Sequence, residues 1–94
     1  MSSFVFYAYF NSQYLEQIPI VRNKHLEFVK ENKDRIRYGG VIHNPDQSYK
    51  GILIILEANT MEEATDFIKN DPYFKLYNSY KIDYFIQKIP PITI

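Results

Sequence analysis

The run Gly51-Ile-Leu-Ile-Ile-Leu56 is apolar at every position after its glycine. Side chains of a strand point alternately to its two faces, so a strand made from this run must be covered on both. Phe4-Val-Phe-Tyr-Ala-Tyr-Phe10 makes the same demand near the start of the chain. Both stretches read as central strands of a sheet, and the rest of the chain has to supply their cover. Ninety-four residues can build one core but not two, so residues 1–94 form a single domain.

The remaining elements follow in order. Asn11-Ser-Gln13 breaks the first strand, and a connector runs through Leu15 and Ile18. Pro19 suits the first turn of a helix, where its missing N–H would be unpaired anyway. That helix runs to about Lys33. At about 100° per residue it sets Val21, Phe28, Val29 and Ile36 on one arc. His25 falls in the middle of the arc, with Asn32 beside it and Arg22 on its margin, while Lys24, Glu27, Lys30 and Glu31 fill the wet side. Ile36 to Ile42 is a second strand, and Gly39-Gly40 within it marks a bulge or a close approach to the backbone. Asn44-Pro-Asp-Gln-Ser48 is a turn. Thr60-Met-Glu-Glu63 is a capping box opening a second helix, whose inner arc is Met61, Ala64, Phe67 and Ile68. Pro72 disfavours helix at Asp71, and Asp71-Pro72 reads as N-cap and N1 of a short turn reaching about Leu76. The last strand, Tyr80 to Ile86, alternates Tyr80, Ile82, Tyr84 and Ile86 with Lys81, Asp83 and Gln87. Pro90-Pro91 closes the fold and leaves the apolar tail Ile92-Thr-Ile94.

The order is βαββαβ. It points to an α+β, ferredoxin-like fold: a four-stranded antiparallel sheet with two helices on one face. Two helices cover one face only, yet both central strands are apolar on both. A second copy of the chain is the simplest cover, so a homodimer packed sheet to sheet is expected.

Composition excludes several classes of function. Acidic and basic residues cancel, at 11 each, with no block of like charge, which argues against a nucleic-acid surface. There is no cysteine, so disulfide and thiolate chemistry are excluded and a cytoplasmic setting is expected. No apolar stretch approaches the roughly 18 residues of a membrane span, and no signal segment opens the chain. With two His, no Cys and no H-x-x-x-H spacing, a metal site is not expected. Gly39-Gly40 matches neither a P-loop nor a dinucleotide fingerprint, and no Ser sits in a nucleophile elbow, so no cofactor is expected. Nine Tyr and seven Phe suit strand surfaces, interfaces and the walls of a small-molecule site.

Topology brings His25 toward Asp71. The two helices run antiparallel, so the first half of helix one lies beside the end of helix two. His25 is in that half, and Asp71 follows helix two directly. A carboxylate on one imidazole nitrogen fixes the tautomer and raises the basicity of the other, which makes a general base. The competing reading keeps Asp71 as a helix cap and His25 as a polar spacer in a core. Arg22 could bind an anionic group or snorkel to solvent. His43, by a turn, is expected in solvent. Glu62-Glu63 and Glu27/Glu31 read as capping and solvated helix faces.

Phe4-Val-Phe-Tyr-Ala8, Val21-Arg-x-x-His-Leu26, Gly39, Glu62-Glu-Ala64 and above all Asp71-Pro-Tyr73 resemble the YCII-related family, in order and up to about Phe85. The resemblance implies a ferredoxin-like fold of the dimeric α/β-barrel superfamily and a His–Asp pair with acid/base chemistry. Most members have no assigned reaction, and one relative acts as a dehydrochlorinase in chloroaromatic breakdown. Carried over by position, His25 and Asp71 are the catalytic pair, and Arg22, Tyr7, Gly39 and Tyr73 are their ligand-binding neighbours. The chain departs from the family in having Gly39-Gly40 where Gly-Pro is common, and a shortened loop at Asn44–Lys50. The function so implied is a cofactor-independent acid/base enzyme, of isomerase, lyase or hydrolase type, acting on a small organic acid or ring compound. The alternative is a non-catalytic small-molecule-binding or structural dimeric module.

Overall fold

In the computed structural model, which describes residues 1–89, the two doubly apolar runs lie side by side at the middle of one sheet. The strands are β1 (Ser2–Phe10), β2 (Ile36–His43), β3 (Tyr49–Ala58) and β4 (Tyr77–Phe85), and the helices are α1 (Ile18–Glu31) and α2 (Met61–Lys69). Strand order is β2-β3-β1-β4, with β1 antiparallel to both β3 and β4, and β2 antiparallel to β3. This is the expected ferredoxin-like arrangement. The sheet edges fall to β2 and β4, whose exposed positions tolerate water.

Alternation decides which side chains meet the helices. Phe4, Phe6, Ala8 and Phe10 of β1 and Ile52, Ile54, Leu56 and Ala58 of β3 share one face. They pack with Ile18, Val21, Ala64, Phe67, Ile68 and Leu76 into the core. Phe4, Phe6, Ile18, Leu56, Ile68 and Leu76 are fully buried. Each contributes about 1.5–3 kcal/mol on leaving water. The opposite face carries Val5, Tyr7, Leu53 and Ile55, paired across the β1–β3 ladder.

Several local details differ from the sequence reading. The connector after β1 is a 3-10 helix, Ser12–Gln17, started by the Asn11 side chain, which accepts from the Gln13 amide at 2.9 Å. Helix α1 ends at Glu31 because Asn32 caps it: its side-chain amide donates to the Phe28 carbonyl at 2.8 Å. Ile36 therefore opens β2 and is not on the helical arc. The capping box of α2 is half formed. Thr60 Oγ1 accepts from the Glu63 amide at 3.0 Å, but the Glu63 carboxylate accepts from Arg35 at 2.8 Å and does not return to the cap. Strand β2 runs unbroken through Gly39-Gly40; its register shifts lie at Ile36/Tyr38 and Ile42/His43. Gly39 answers a close approach, since a Cβ there would lie 2.6 Å from the Leu53 carbonyl oxygen. Strand β4 starts earlier than expected, at Tyr77, and stops at Phe85. The expected tail beyond Pro90 lies outside the described residues.

Candidate active site

Within α1 the buried residues are Ile18, Val21 and His25, three steps and then four along the helix, which is one stripe on its inner face. The third member of an otherwise apolar stripe is thus an imidazole, its side chain 9% exposed. A polar ring so placed needs a partner.

That partner comes from the end of α2. Asn70 caps the helix, and Pro72 keeps the chain from continuing it. Asp71 is held here by its own backbone: its amide donates to the Ile68 carbonyl at 3.0 Å, and its carbonyl accepts from the Phe74 amide at 2.9 Å. Its side chain is 1% exposed. Oδ1 accepts from the Tyr73 amide at 2.9 Å, capping the short turn that follows. The same carboxylate receives His25 Nδ1, at 2.8 Å to Oδ1 and 3.0 Å to Oδ2. Cap and partner, the two readings open from sequence, are served by one side chain. An ionised carboxylate can only accept, so Nδ1 carries a proton, and in the neutral imidazole Nε2 then keeps its lone pair.

The imidazole is also fixed from its face. Tyr73 stacks on it with ring centroids 4.0 Å apart and planes 14° from parallel. Burial pushes the Tyr73 phenol above its ordinary pKa, and the nearby Arg22 guanidinium pulls it part of the way back. Arg22, one turn before His25, donates to the Tyr49 hydroxyl and lies over the Tyr49 ring, 5.5 Å from its centroid. Behind this group the Tyr77 hydroxyl is buried with no partner among the described residues. Desolvation drives its pKa strongly upward, helped by the Asp71 charge.

Between α1 and the edge strand β2 lies a cavity of about 200 Å³. His25, Leu26 and Val29 of α1 form one wall; Ile36, Gly39, Gly40 and Val41 of β2 form the other, over Ile52 and Ile54 of β3. Among the described residues nothing hydrogen-bonds Nε2 of His25, whose side chain lines this cavity. An unprotonated nitrogen beside an apolar recess can take a proton from a bound molecule and return it elsewhere.

The structure brings together His25, Asp71 and Tyr73, sets Arg22 beside them through Tyr49, and puts Gly39 in the cavity wall. Tyr7 is not with them. Phe6 and Ala8 face the helices, so Tyr7 between them points to the opposite face of the sheet, where its hydroxyl donates to Asp83 at 3.4 Å. Its expected place next to the ligand is corrected by the period of the strand. His43 is exposed and bonded to the Gln47 carbonyl at 3.0 Å. Tyr49, which holds Arg22, and the cavity residues Leu26, Val41, Ile52 and Ile54 escaped the sequence reading. Only the period of β3, which puts Ile52 and Ile54 on one face, could have pointed to two of them. Among the described residues no three His, Cys, Asp or Glu side chains are grouped to hold a metal ion. No described helix is long and apolar enough to cross a membrane.

A family model described as the YCII-related domain matches residues 2–86. Among solved structures, the chain is similar to a 5-chloro-2-hydroxyhydroquinone dehydrochlorinase from Burkholderia phenoliruptrix, in complex with 2,5-dihydroxybenzoquinone. That likeness has a TM-score of 0.79 and 23% identity, over 89% of this chain and 93% of that one. It is similar also to a Nitrosomonas europaea protein assigned to the antibiotic biosynthesis monooxygenases, with a TM-score of 0.53 and 11% identity over 95% of this chain and 100% of that one. The fold shared with them is that of the dimeric α/β-barrel superfamily. No curated protein matches the sequence significantly.

Proposed function

This chain belongs to the YCII-related family, and we propose that it is a cofactor-independent acid/base enzyme acting on a small organic acid or ring compound bound next to His25. The observation that carries the reading is the 2.8 Å bond from His25 Nδ1 to the buried Asp71 carboxylate, which leaves Nε2 free on a ring that lines the cavity. In the reaction, Nε2 takes a proton from the substrate, and Asp71 stabilises the imidazolium that forms. The proton then returns to a different substrate atom in an isomerisation. In an elimination it stays on Nε2 as the leaving group departs with the electron pair of its bond, and is afterwards lost to water. Tyr73 keeps the ring in plane through both steps.

The dehydrochlorinase is the relative whose substrate offers the first trial. At 23% identity, 5-chloro-2-hydroxyhydroquinone enters as a compound to test, with release of HCl as the readout. If it or another ring compound is turned over, His25→Ala should lower kcat by about 10²–10⁴. Full activity in that variant would overturn the reading. Ligand binding without turnover in the parent protein would favour a non-catalytic binding module.

We infer also that a second copy of the chain covers the face bearing Val5, Tyr7, Leu53 and Ile55. That face lies away from His25, so each protomer keeps its own cavity. Light scattering at micromolar concentration should give twice the chain mass.

A further inference from the structure

The wall around His25 Nε2 is selective by what it lacks. Leu26, Val29, Val41, Ile52 and Ile54 supply hydrocarbon, the two glycines supply backbone, and His25 is the one titratable side chain among the lining residues. Among the described residues no Lys or Arg lines the cavity. Arg22 is not among the lining residues: its guanidinium donates to the Tyr49 hydroxyl and lies beside the Tyr73 phenol. Arg35 and Arg37 are paired with Glu63 and Glu57. Lys24 and Lys30 are exposed on the outer side of α1, and residues 90–94 contain no cationic side chain. The nearest fixed charge is the Asp71 carboxylate, directly behind the imidazole.

An anion entering here would lose its water, find no counter-charge and approach a buried carboxylate of its own sign. An uncharged molecule faces none of these costs. A cavity of about 200 Å³ is close to the size class that holds a single benzene ring, roughly 150 Å³. We infer that the site selects an uncharged molecule of single-ring size that presents an ionisable O–H or C–H to His25, and turns away carboxylates and phosphates of the same size. This rests on the acid/base reading of His25 and narrows its substrate class: of the organic acids and ring compounds left open there, the neutral ring is the one that fits.

The test uses the full chain and three probes of one size: phenol, benzamide and benzoate, titrated at about pH 8, where only benzoate is charged. Binding is followed by the NMR resonances of the His25 imidazole and the Ile54 methyl groups. Phenol and benzamide should move both sets and bind at least about tenfold tighter than benzoate. A second variant supplies the missing charge. Leu26 lines the cavity and is 53% exposed, so Leu26→Lys should fold normally and raise the affinity for benzoate relative to phenol at least about tenfold. Benzoate binding the parent protein as tightly as benzamide, with His25 responding, would overturn the selectivity and leave the role of His25 standing. If no probe moves the His25 resonances, both readings fall.

Discussion

The two halves of the layer between sheet and helices are finished differently. Over β1 and β4 the space is filled with rings: Phe6 meets Tyr77 and Tyr80 at 5.6 and 5.8 Å, Phe10 meets Tyr73 and Tyr77 at 5.6 and 5.4 Å, and Phe74 meets Tyr80 at 5.3 Å. Over β2 and β3 the same layer carries glycine, valine and isoleucine, and a cavity opens beside α1. Tilted aromatic pairs contribute about 0.5–1.5 kcal/mol each beyond the area they bury. One half thus supplies stability and the other gives some up. The imidazole sits on the border, with Tyr73 stacked on it from the filled side and hydrocarbon on the open side. A reactive side chain gains from both: rigid support behind, room in front.

The largest difference should appear on truncating one side chain from each half. Phe6 is fully buried among rings, so Phe6→Ala should cost about 3–5 kcal/mol in urea unfolding. Val41 lines the cavity at 41% exposure, and Val41→Ala should cost under about 1 kcal/mol. Equal losses would mean that the open half is as tightly built as the other.

Next in size is the glycine pair. A Cβ on Gly39 would lie 2.6 Å from a backbone oxygen, whereas one on Gly40 meets nothing within 4 Å. Gly39→Ala should destabilise by about 1–3 kcal/mol, because the strands must part. Gly40→Ala should be within about 0.5 kcal/mol of the parent. A large loss at Gly40 would show that this wall is packed against something more than its own chain.

Much of this architecture is legible in the sequence. Two runs apolar on both alternating faces have to be central, and Gly51–Leu56 and Phe4–Phe10 are. The contact of His25 with Asp71 follows from topology, since antiparallel helices bring the early part of one to the end of the other. What alternation cannot say is which set of a doubly apolar strand faces the helices. The family resemblance puts Tyr7 beside the ligand, alternation alone offers nothing against it, and in the fold Tyr7 lies on the far face. Side-chain choices among several partners are equally hidden. Glu63 could close its capping box or pair with Arg35, and it pairs with Arg35. Arg22 could bind an anionic group or snorkel to solvent, and it does neither with its Tyr49 bond, whose partner lies 27 positions away in the sequence.

The smallest effect probes a flaw in the filled half. Tyr77 buries its hydroxyl among rings with no partner among the described residues. Leaving such a group unsatisfied costs about 1–3 kcal/mol, so Tyr77→Phe should be neutral or stabilise by up to about 1 kcal/mol. The sign with pH follows from its raised pKa. Below about pH 10 the phenol is protonated in the folded and unfolded chain alike, and stability is at its full value. Above that, the unfolded chain releases the proton while the folded chain keeps it. The unfolded state is then favoured, and stability falls as pH rises. Tyr73, raised by burial in the same direction, adds to the fall. Urea midpoints measured from about pH 8 to 11 should decline in the parent and decline less in Tyr77→Phe. A variant that is less stable at neutral pH and just as steep in alkali would mean that the hydroxyl is satisfied after all. The filled half would then be held by polar bonds as well as by rings, and its contrast with the open half would narrow.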